Sequence, residues 1–367
     1  MACRKHHLAA AAALLLSAAA GCKDDSKGGG GGDAAKRVAA VAGMSAIPAS
    51  ADVVLGADVA ALAGSELVQR AVGRMLLADP GLSREVDQLF EGCGFRPERD
   101  LRTVLLAMDS GDGEADRTLL VATGTLKEGA IASCVARHMA SVGGRLSQKA
   151  VGGRPHYHAD APPDRLDVWF AFGAPDTVVV SSSPELLAEA LGEGARVSSD
   201  AEMAGLIDRA RQDEPALWAA GRVAPEIGAG LKEATGGAIG PPVALFGHIG
   251  LTAGLKAELG VVLSSPEEAS SAVSLAKQQL AFLAQVAQKW KLGALVTRIQ
   301  AEAKGPTVHL RLALDQAELA AALAPIDSGA PDDQTTAPLE KDQGVANGQG
   351  DAAPGGEAPV PEQGQAD

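Results

Sequence analysis

Aromatic residues and long apolar runs are scarce in this chain. Its 367 residues include 3 Trp, 1 Tyr and 6 Phe, although apolar residues make up 46%. The sequence therefore predicts a core of Ala, Val and Leu. Its longest N-terminal apolar run falls short of the about 20 residues that a membrane-spanning helix needs, so we expect no transmembrane helix.

Positive charge is also in short supply. The chain has 32 Lys and Arg against 46 Asp and Glu, which gives a formal net charge of −14. Nucleic-acid binding depends on clustered cations. This balance therefore excludes nucleic acid as an expected partner.

Motifs of catalysis are missing as well. The sequence contains no G-x-S-x-G, H-E-x-x-H, P-loop or G-x-G-x-x-G pattern. The acidic stretch over 109–116 lacks the spacing of a calcium loop and reads better as a hairpin turn. We therefore predict no catalytic residue, no cofactor and no metal, and a protein that is not an enzyme.

The first 21 residues are typical of a bacterial signal peptide. Arg4 and Lys5 precede the apolar stretch over 8–20, and the small residues AAG lead into Cys22. This segment resembles the lipobox of bacterial lipoproteins, in which the cysteine thiol receives acyl chains such as palmitate. The resemblance implies lipidation at Cys22. The alternative is an ordinary signal peptide followed by a chance cysteine.

A Gly-rich tether follows over 22–46. Its polar composition favours a flexible coil with a reach of roughly 25–30 Å. In similar Gram-negative lipoproteins, Asp after the lipidated cysteine favours the inner membrane, whereas this chain has Lys23. The resemblance therefore implies anchoring in the cell envelope, in the outer membrane rather than the inner one.

The C-terminal segment over 328–367 has a separate composition. It is rich in Pro, Gly, Gln and acidic residues, and it contains no aromatic residue. Such a composition predicts disorder. Its role is either to keep the protein soluble or to bind a partner.

Two cysteines remain after Cys3 in the signal peptide and Cys22 at the anchor. Cys93 and Cys134 form an even pair in an oxidising compartment, and their spacing is not that of a redox motif. We interpret them as a structural disulfide. The alternative is two buried free thiols.

The periodicity of the remaining residues predicts an α+β fold with antiparallel sheets flanked by helices. The first half over 47–197 and the second over 198–327 share a strand-helix-strand-strand-helix-strand order. We interpret this order as a diverged duplication. The alternative is that any α+β chain shows a similar rhythm.

Two short phrases resemble a group of uncharacterised bacterial envelope lipoproteins and secreted proteins. They are IPASADVVLGADV over 47–59 and GFRPERDL over 94–101. The group supplies no activity, so the resemblance implies an envelope protein of unknown molecular role.

One polar cluster deserves a test as a metal site. His156, His158 and Asp160 alternate along a predicted strand, so that they share a face. The neighbouring strand is expected to set Lys149 opposite His156 and Arg145 opposite Asp160. A dication beside these cations is disfavoured, and we predict a solvated polar face.

Three functions stay open. The first is a non-catalytic binding or interaction module, with an unknown protein or apolar ligand as its partner. The second is a carrier or sensor of an apolar ligand, and the third is a hydrolase with a site not visible in the sequence. The membrane is expected as a partner only through the N-terminal lipid.

Lipidation at Cys22 leads to a direct prediction. Changing Cys22→Ala removes the acylated thiol, so the variant should move from the membrane fraction to the soluble periplasmic fraction. Fractionation at high salt measures this. A variant that still sediments with membranes would contradict the lipobox interpretation.

Overall fold

Twelve antiparallel strands form one continuous sheet. The computed structural model describes residues 39–109, 117–162, 167–234, 237, 239–288 and 293–327, within a compact unit that ends at Asp327. The strands are β1 (Val53–Asp58), β2 (Leu101–Asp109), β3 (Arg117–Gly124), β4 (Arg145–Val151), β5 (Arg154–Asp160), β6 (Val168–Ala174), β7 (Thr177–Ser181), β8 (Leu217–Arg222), β9 (Ala244–Gly250), β10 (Leu255–Val262), β11 (Gln300–Lys304) and β12 (Thr307–Leu314). Their order is β11-β12-β10-β9-β8-β1-β2-β3-β7-β6-β5-β4. The predicted α+β class is confirmed.

Helices pack on both sides of this sheet. In the described residues they are α1 (Val59–Ala63), α2 (Glu66–Ala78), α3 (Pro80–Cys93), α4 (Pro97–Asp100), α5 (Glu128–Ser141), α6 (Pro184–Leu191), α7 (Ala201–Ala210), α8 (Pro225–Ala234), α9 (Pro266–Ala287), α10 (Gly293–Val296) and α11 (Gln316–Asp327). None of the helices in the described residues is both long and apolar enough to cross a membrane.

Ser183 before Pro184, and Ser265 three residues before Glu268, are capping patterns that predict the starts of two helices. The structure confirms both starts. The Ser183 hydroxyl accepts the backbone N–H of Leu186 at 3.1 Å at the start of α6. The Ser265 hydroxyl accepts the N–H of Glu268 at 3.2 Å at the start of α9, and the Glu268 carboxylate accepts the N–H of Ser264. These side chains satisfy backbone donors that the helices leave unpaired.

The two halves of the chain have matching connections. In the first half the order is β1-β2-β3-β7-β6-β5-β4, and in the second it is β8-β9-β10-β12-β11. In both, a first strand pairs with a hairpin, and the last strand returns to pair with the second strand of that hairpin. The first half differs by the additional hairpin β4–β5. This match agrees with a duplication, which stays a prediction.

The halves share one sheet, because β1 pairs with β2 on one side and with β8 on the other. Side chains alternate between two faces of the sheet. We call the face that carries Val54 the front and the face that carries Leu55 the back. On the front, α6 and α7 bury Leu187 and Met203 against the central strands.

The back face is covered only toward its two ends. Over the first half, α5 contributes Ile131 to a cluster with Phe170 and Val180. Over the second half, α9 packs Val273 against Val308 of β12. Among the described residues, no helix covers the back face of the strands between these clusters.

The sequence predicts that the packed domain begins at position 47. In the structure the packed part of the chain begins earlier. Val41 and Ala46 are buried in the front core. The N–H of Val41 donates to the carbonyl oxygen of Gly173 on β6 at 2.9 Å. The end of the predicted tether therefore packs against the sheet. Residues 22–38 lie outside the described residues.

The helical spacing of apolar residues predicts a buried face on two helices. One face consists of Leu67, Val68, Ala71 and Met75, and the other includes Val273, Leu283 and Trp290. The first four residues do share a helix, but no residue of α2 is buried, and Met75 is 52% exposed. On α9, Val273 is buried as predicted while Leu283 is 48% exposed. The periodicity finds the helices, but it does not reveal how much of each face another element covers. Trp290 lies outside the described residues.

One predicted strand is shorter than expected. The sequence pattern over 294–303 predicts a continuous strand, whereas Gly293–Val296 form a helical turn and β11 begins at Gln300. The two segments form a hairpin as predicted, but its turn differs by one residue. The sequence predicts a turn at Lys304-Gly305, whereas Lys304 pairs with Thr307 and the turn is Gly305-Pro306.

The structure joins Cys93, at the end of α3, to Cys134 in α5. Their Cα atoms lie 5.4 Å apart, which is within the range that a disulfide requires. Both side chains are buried in the core of the first half. The bond would tie the α2–α3 hairpin to the helix that covers the sheet.

We therefore expect the Cys93–Cys134 bond to stabilise the protein. Closing a loop of 41 residues contributes about 4 kcal/mol in the chain-entropy model. The change Cys134→Ala should lower the free energy of unfolding by roughly that amount, measured by urea denaturation. Reducing the disulfide of the parent protein should lower its free energy of unfolding by a similar amount. A parent protein with two titratable thiols in its native state would rule out the bond.

Candidate binding groove on the back face of the sheet

An apolar groove lies on the uncovered part of the back face. It has a volume of about 580 Å³. Two adjacent rows of side chains cross it, one from each of six neighbouring strands. The first row is Leu106, Leu55, Ala219, Gly247, Leu259 and Leu310. The second row is Val104, Ala57, Leu217, Ile249, Ala257 and Leu312.

Small residues are frequent on the four middle strands of the groove. They are Ala219 and Gly247 in the first row and Ala57 and Ala257 in the second, where a covered sheet commonly carries Val, Ile or aromatic side chains. At Gly247 a larger residue has no room, because an added Cβ would lie 2.6 Å from the carbonyl oxygen of Glu258. The floor is therefore low at these four positions, next to larger neighbours such as Leu217 and Ile249.

Large apolar side chains around this floor face solvent. Leu217, Leu245 and Leu259 are between 37% and 42% exposed, and the strand alternation places all three on the back face. Contiguous apolar surface of this kind is typical of a binding site. The surface marks the groove as the candidate site.

Each end of the groove is closed by a wall, which is a cluster of apolar residues that includes a helix. Val104 and Leu106 also pack against the cluster that contains α5. Leu310 also packs against the cluster that contains α9. The groove is thus a trough whose floor is sheet and whose ends are helical layers.

The two rows of the groove contain no side chain suited to chemistry. All twelve residues of these rows are apolar. The lining also includes His248, Glu258 and Arg311, but the alternation of the strands places these three side chains on the front face. The rows can bury an apolar group, but they offer no acid, base or nucleophile. Binding here would depend on the hydrophobic effect alone.

A charged network occupies the front face behind the groove. The Glu258 carboxylate lies 2.7 Å from Nδ1 of His309 and accepts a 2.7 Å hydrogen bond from Nε of Arg311. Arg311 also donates to Glu302 at 3.0 Å. Burial by itself raises the pKa of Glu258, but the hydrogen bonds from Arg311 and His309 outweigh it and hold that pKa below its usual value. The network joins β10, β12 and β11.

Sequence reasoning did not single out this network. The sequence signal for this network is the alternation in VHLRLAL, which places His309 and Arg311 on one face of a strand. Their acidic partner is about fifty positions away in the chain, so only strand pairing identifies it. Within the described ranges, no group of three His, Cys, Asp or Glu could hold a metal ion.

The predicted polar strand face around His156 has the expected register. Lys149 lies opposite His156 and Arg145 opposite Asp160, and the turn glycines Gly152 and Gly153 both have positive φ, as a two-residue hairpin requires. The Asp160 carboxylate accepts a 2.7 Å hydrogen bond from Arg145. Asp160 therefore has the cationic neighbour that the sequence predicts.

The two histidines of that face have other contacts. His158 stacks on Trp169 with ring centroids 4.6 Å apart, and its Nε2 lies 3.3 Å from the carboxylate of Asp167. Burial, together with the charge of Arg154, lowers the pKa of His156. The structure does not bring these side chains to the groove.

Comparison with known proteins adds no family. The chain matches no family model, no curated protein and no solved structure. Lipidation at Cys22 and the predicted tail over 328–367 lie outside the described residues, as does the acidic loop between β2 and β3 over 110–116.

The depressed pKa of Glu258 predicts acid sensitivity. A carboxyl group whose folded pKa is lowered contributes stability that is present above its unfolded pKa, near 4.3, and lost as the pH falls through its folded pKa. The change Glu258→Gln should cost about 1–2 kcal/mol at pH 7 and make stability less dependent on pH below about 5. The measurement is urea unfolding across that range.

Glu193→Gln, at an exposed loop position, is the matched control and should leave both quantities unchanged. If the free energy of unfolding depends on pH equally in the Glu258→Gln variant and the parent, the network does not stabilise the fold.

Proposed function

We propose that this protein is a non-catalytic, lipid-anchored carrier of an apolar ligand in the bacterial envelope. The observation that carries the proposal is the groove of about 580 Å³ with two rows of apolar side chains across its floor. Its volume is in the usual range of small-molecule sites, about 300–1,000 Å³. Among the functions that the sequence leaves open, this geometry favours the carrier.

The shape of the groove favours a small ligand over a protein partner. A stable protein interface needs about 800 Å² from each partner. The groove is recessed between the helical layer around α5 and the one around α9. These walls limit the approach of a flat surface, whereas a small ligand enters between them.

The apolar lining argues against the hydrolase alternative. A hydrolytic site needs a nucleophile or an activated water with an acid or base nearby. The side chains of the two groove rows supply none of these groups. The Glu258–His309 pair lies on the opposite face of the sheet, so it cannot act on a ligand in the groove.

The predicted anchor fits a carrier. A lipid at Cys22 and a Gly-rich tether keep the domain near a bilayer and let it reorient there. Apolar ligands are concentrated in that bilayer. The proposed location is the outer membrane of the envelope, as the Lys23 position implies.

Filling the groove tests this function. Ala219→Phe adds a ring to the middle of the floor, so it should weaken binding of a neutral apolar dye, N-phenyl-1-naphthylamine, by about tenfold or more, which corresponds to about 1.4 kcal/mol. Fluorescence titration measures the dissociation constant. The ring occupies the space that the dye needs.

Ala313→Phe is the matched control. Ala313 lies next to a groove residue on β12 but is exposed and points to the front face. It should bind the dye like the parent. Equal affinity of both variants, or a parent that does not bind the dye, would contradict the proposed function.

A further inference from the structure

We propose that the ligand of the groove is one unbranched hydrocarbon chain of a membrane lipid, lying across the strands. The inference rests on the proposed function and narrows its ligand class. Three properties of the groove carry it, namely its length, the spacing of its two rows of side chains and the saturation of its polar groups.

The groove is long enough for a whole acyl chain. It extends from β2 to β12 over six neighbouring strands, and five spacings of 4.7–4.9 Å give about 24 Å. One leaflet of a bilayer has a hydrocarbon depth of about 15 Å, which is half of the 30 Å core. A chain drawn from a leaflet therefore fits between the two helical walls.

The groove is narrow as well as long. Its two rows of side chains lie two residues apart along each strand, which separates them by about 6–7 Å. A row of methylenes is about 4–5 Å wide, since carbons approach to 3.5–4.0 Å. An α-helix, at 10–12 Å with side chains, is wider than the distance between the rows. The spacing of the rows therefore suits a single hydrocarbon chain better than a helix.

The floor has no polar group left to bind a headgroup. Each of the six strands has neighbours on both sides, since β11 and β4 are the edges of the sheet. Their backbone N–H and C=O groups are therefore engaged in the ladders, and the side chains of the two rows are apolar. The groove selects the chain, and a polar headgroup stays outside it.

The chain belongs to a separate lipid rather than to the protein's own anchor. The packed N-terminal segment joins β6, where Val41 bonds to Gly173 and lies in the front core. The groove is on the opposite face, and β6 is four strands, or about 19 Å, from β1. The anchor's own acyl chain would have to pass around the sheet to reach the groove from this segment, so the proposal assigns the groove to a separate lipid.

Chain-length dependence tests the inference on the soluble Cys22→Ala protein, which carries no acyl group of its own. Linear 1-alkanols of increasing length compete with N-phenyl-1-naphthylamine. Their affinity should rise about fourfold for each added methylene and level off once the chain fills the groove. A rigid fused-ring sterol should compete at least tenfold more weakly than the longest alkanol.

Blocking one end of the groove should shift that limit. Val104→Trp fills the β2 end, and Leu312→Trp fills the β12 end, so each should make the affinity level off at a shorter chain. Thr103→Trp, exposed beside Val104 on the front face, should behave like the parent. Thermal unfolding of each variant confirms that it is folded.

The outcomes separate the two proposals. Suppose that the parent binds the dye and that Ala219→Phe weakens this binding, but that the sterol competes as well as the alkanols. The single-chain inference is then wrong, and the carrier function stands. The same holds if alkanol affinity does not depend on length. If the dye does not bind to the parent at all, both proposals fail.

A vesicle experiment identifies the source of the chain. The Cys22→Ala protein, incubated with phosphatidylcholine vesicles and separated from them, should carry one lipid molecule per chain in native mass spectrometry. Dye binding should fall in proportion to that occupancy. One result would overturn the proposal. The Cys22→Ala protein would remain lipid-free after incubation, and dye binding would be blocked only in the protein that is acylated at Cys22. The groove would then belong to the protein's own anchor.

Discussion

The pairing of β1 with both β2 and β8 is the constraint on which the described structure depends. It joins two halves of matching topology into one sheet of twelve strands. Each half covers the back face of its own outer strands, with α5 in the first half and α9 in the second. In the part of the chain that the structure describes, the strands around the junction therefore receive no helix on that face. The candidate groove is a direct consequence of how the halves are joined, because neither helical layer extends over the central strands.

The two faces of the junction differ in how their apolar surface is buried. On the front, α6 and α7 bury the central strands in a continuous core, and the Glu258 network joins β10, β12 and β11 beyond it. On the back, Leu217 and Leu259 remain partly exposed. Exposed apolar surface forgoes about 25 cal/mol per Å², so a ligand that covers it binds favourably and stabilises the folded state by mass action. The apolar contacts of the front core hold the central strands in position, and the side chains of the two groove rows take no part in that core.

Local sequence signals account for much of the fold. The caps Ser183 and Ser265 predict where α6 and α9 begin, and the Gly152-Gly153 turn predicts the register of β4 and β5. The same signals do not say which face of a helix is covered. Met75 and Leu283 fit an apolar stripe, and yet both are largely exposed. The groove was not predictable for the same reason. Ala57, Ala219, Gly247 and Ala257 read as ordinary small residues of four separate strands, and they become one floor only when those strands are adjacent.

The sequence by itself determined the features that arise from neighbouring residues: the hairpins, the helix starts and the alternation of strand faces, while the lipid anchor stays a prediction. These features depend on hydrogen bonds and turn geometry within a few residues, which the local chain already specifies. Tertiary structure alone decided that two predicted sheets form one, that Glu258 meets His309, and that no described helix covers the middle of the back face. Those outcomes depend on pairing between residues far apart in the chain and on which surfaces the helices reach. No local pattern encodes either, because strand order and helix placement are set by the packing of the whole domain.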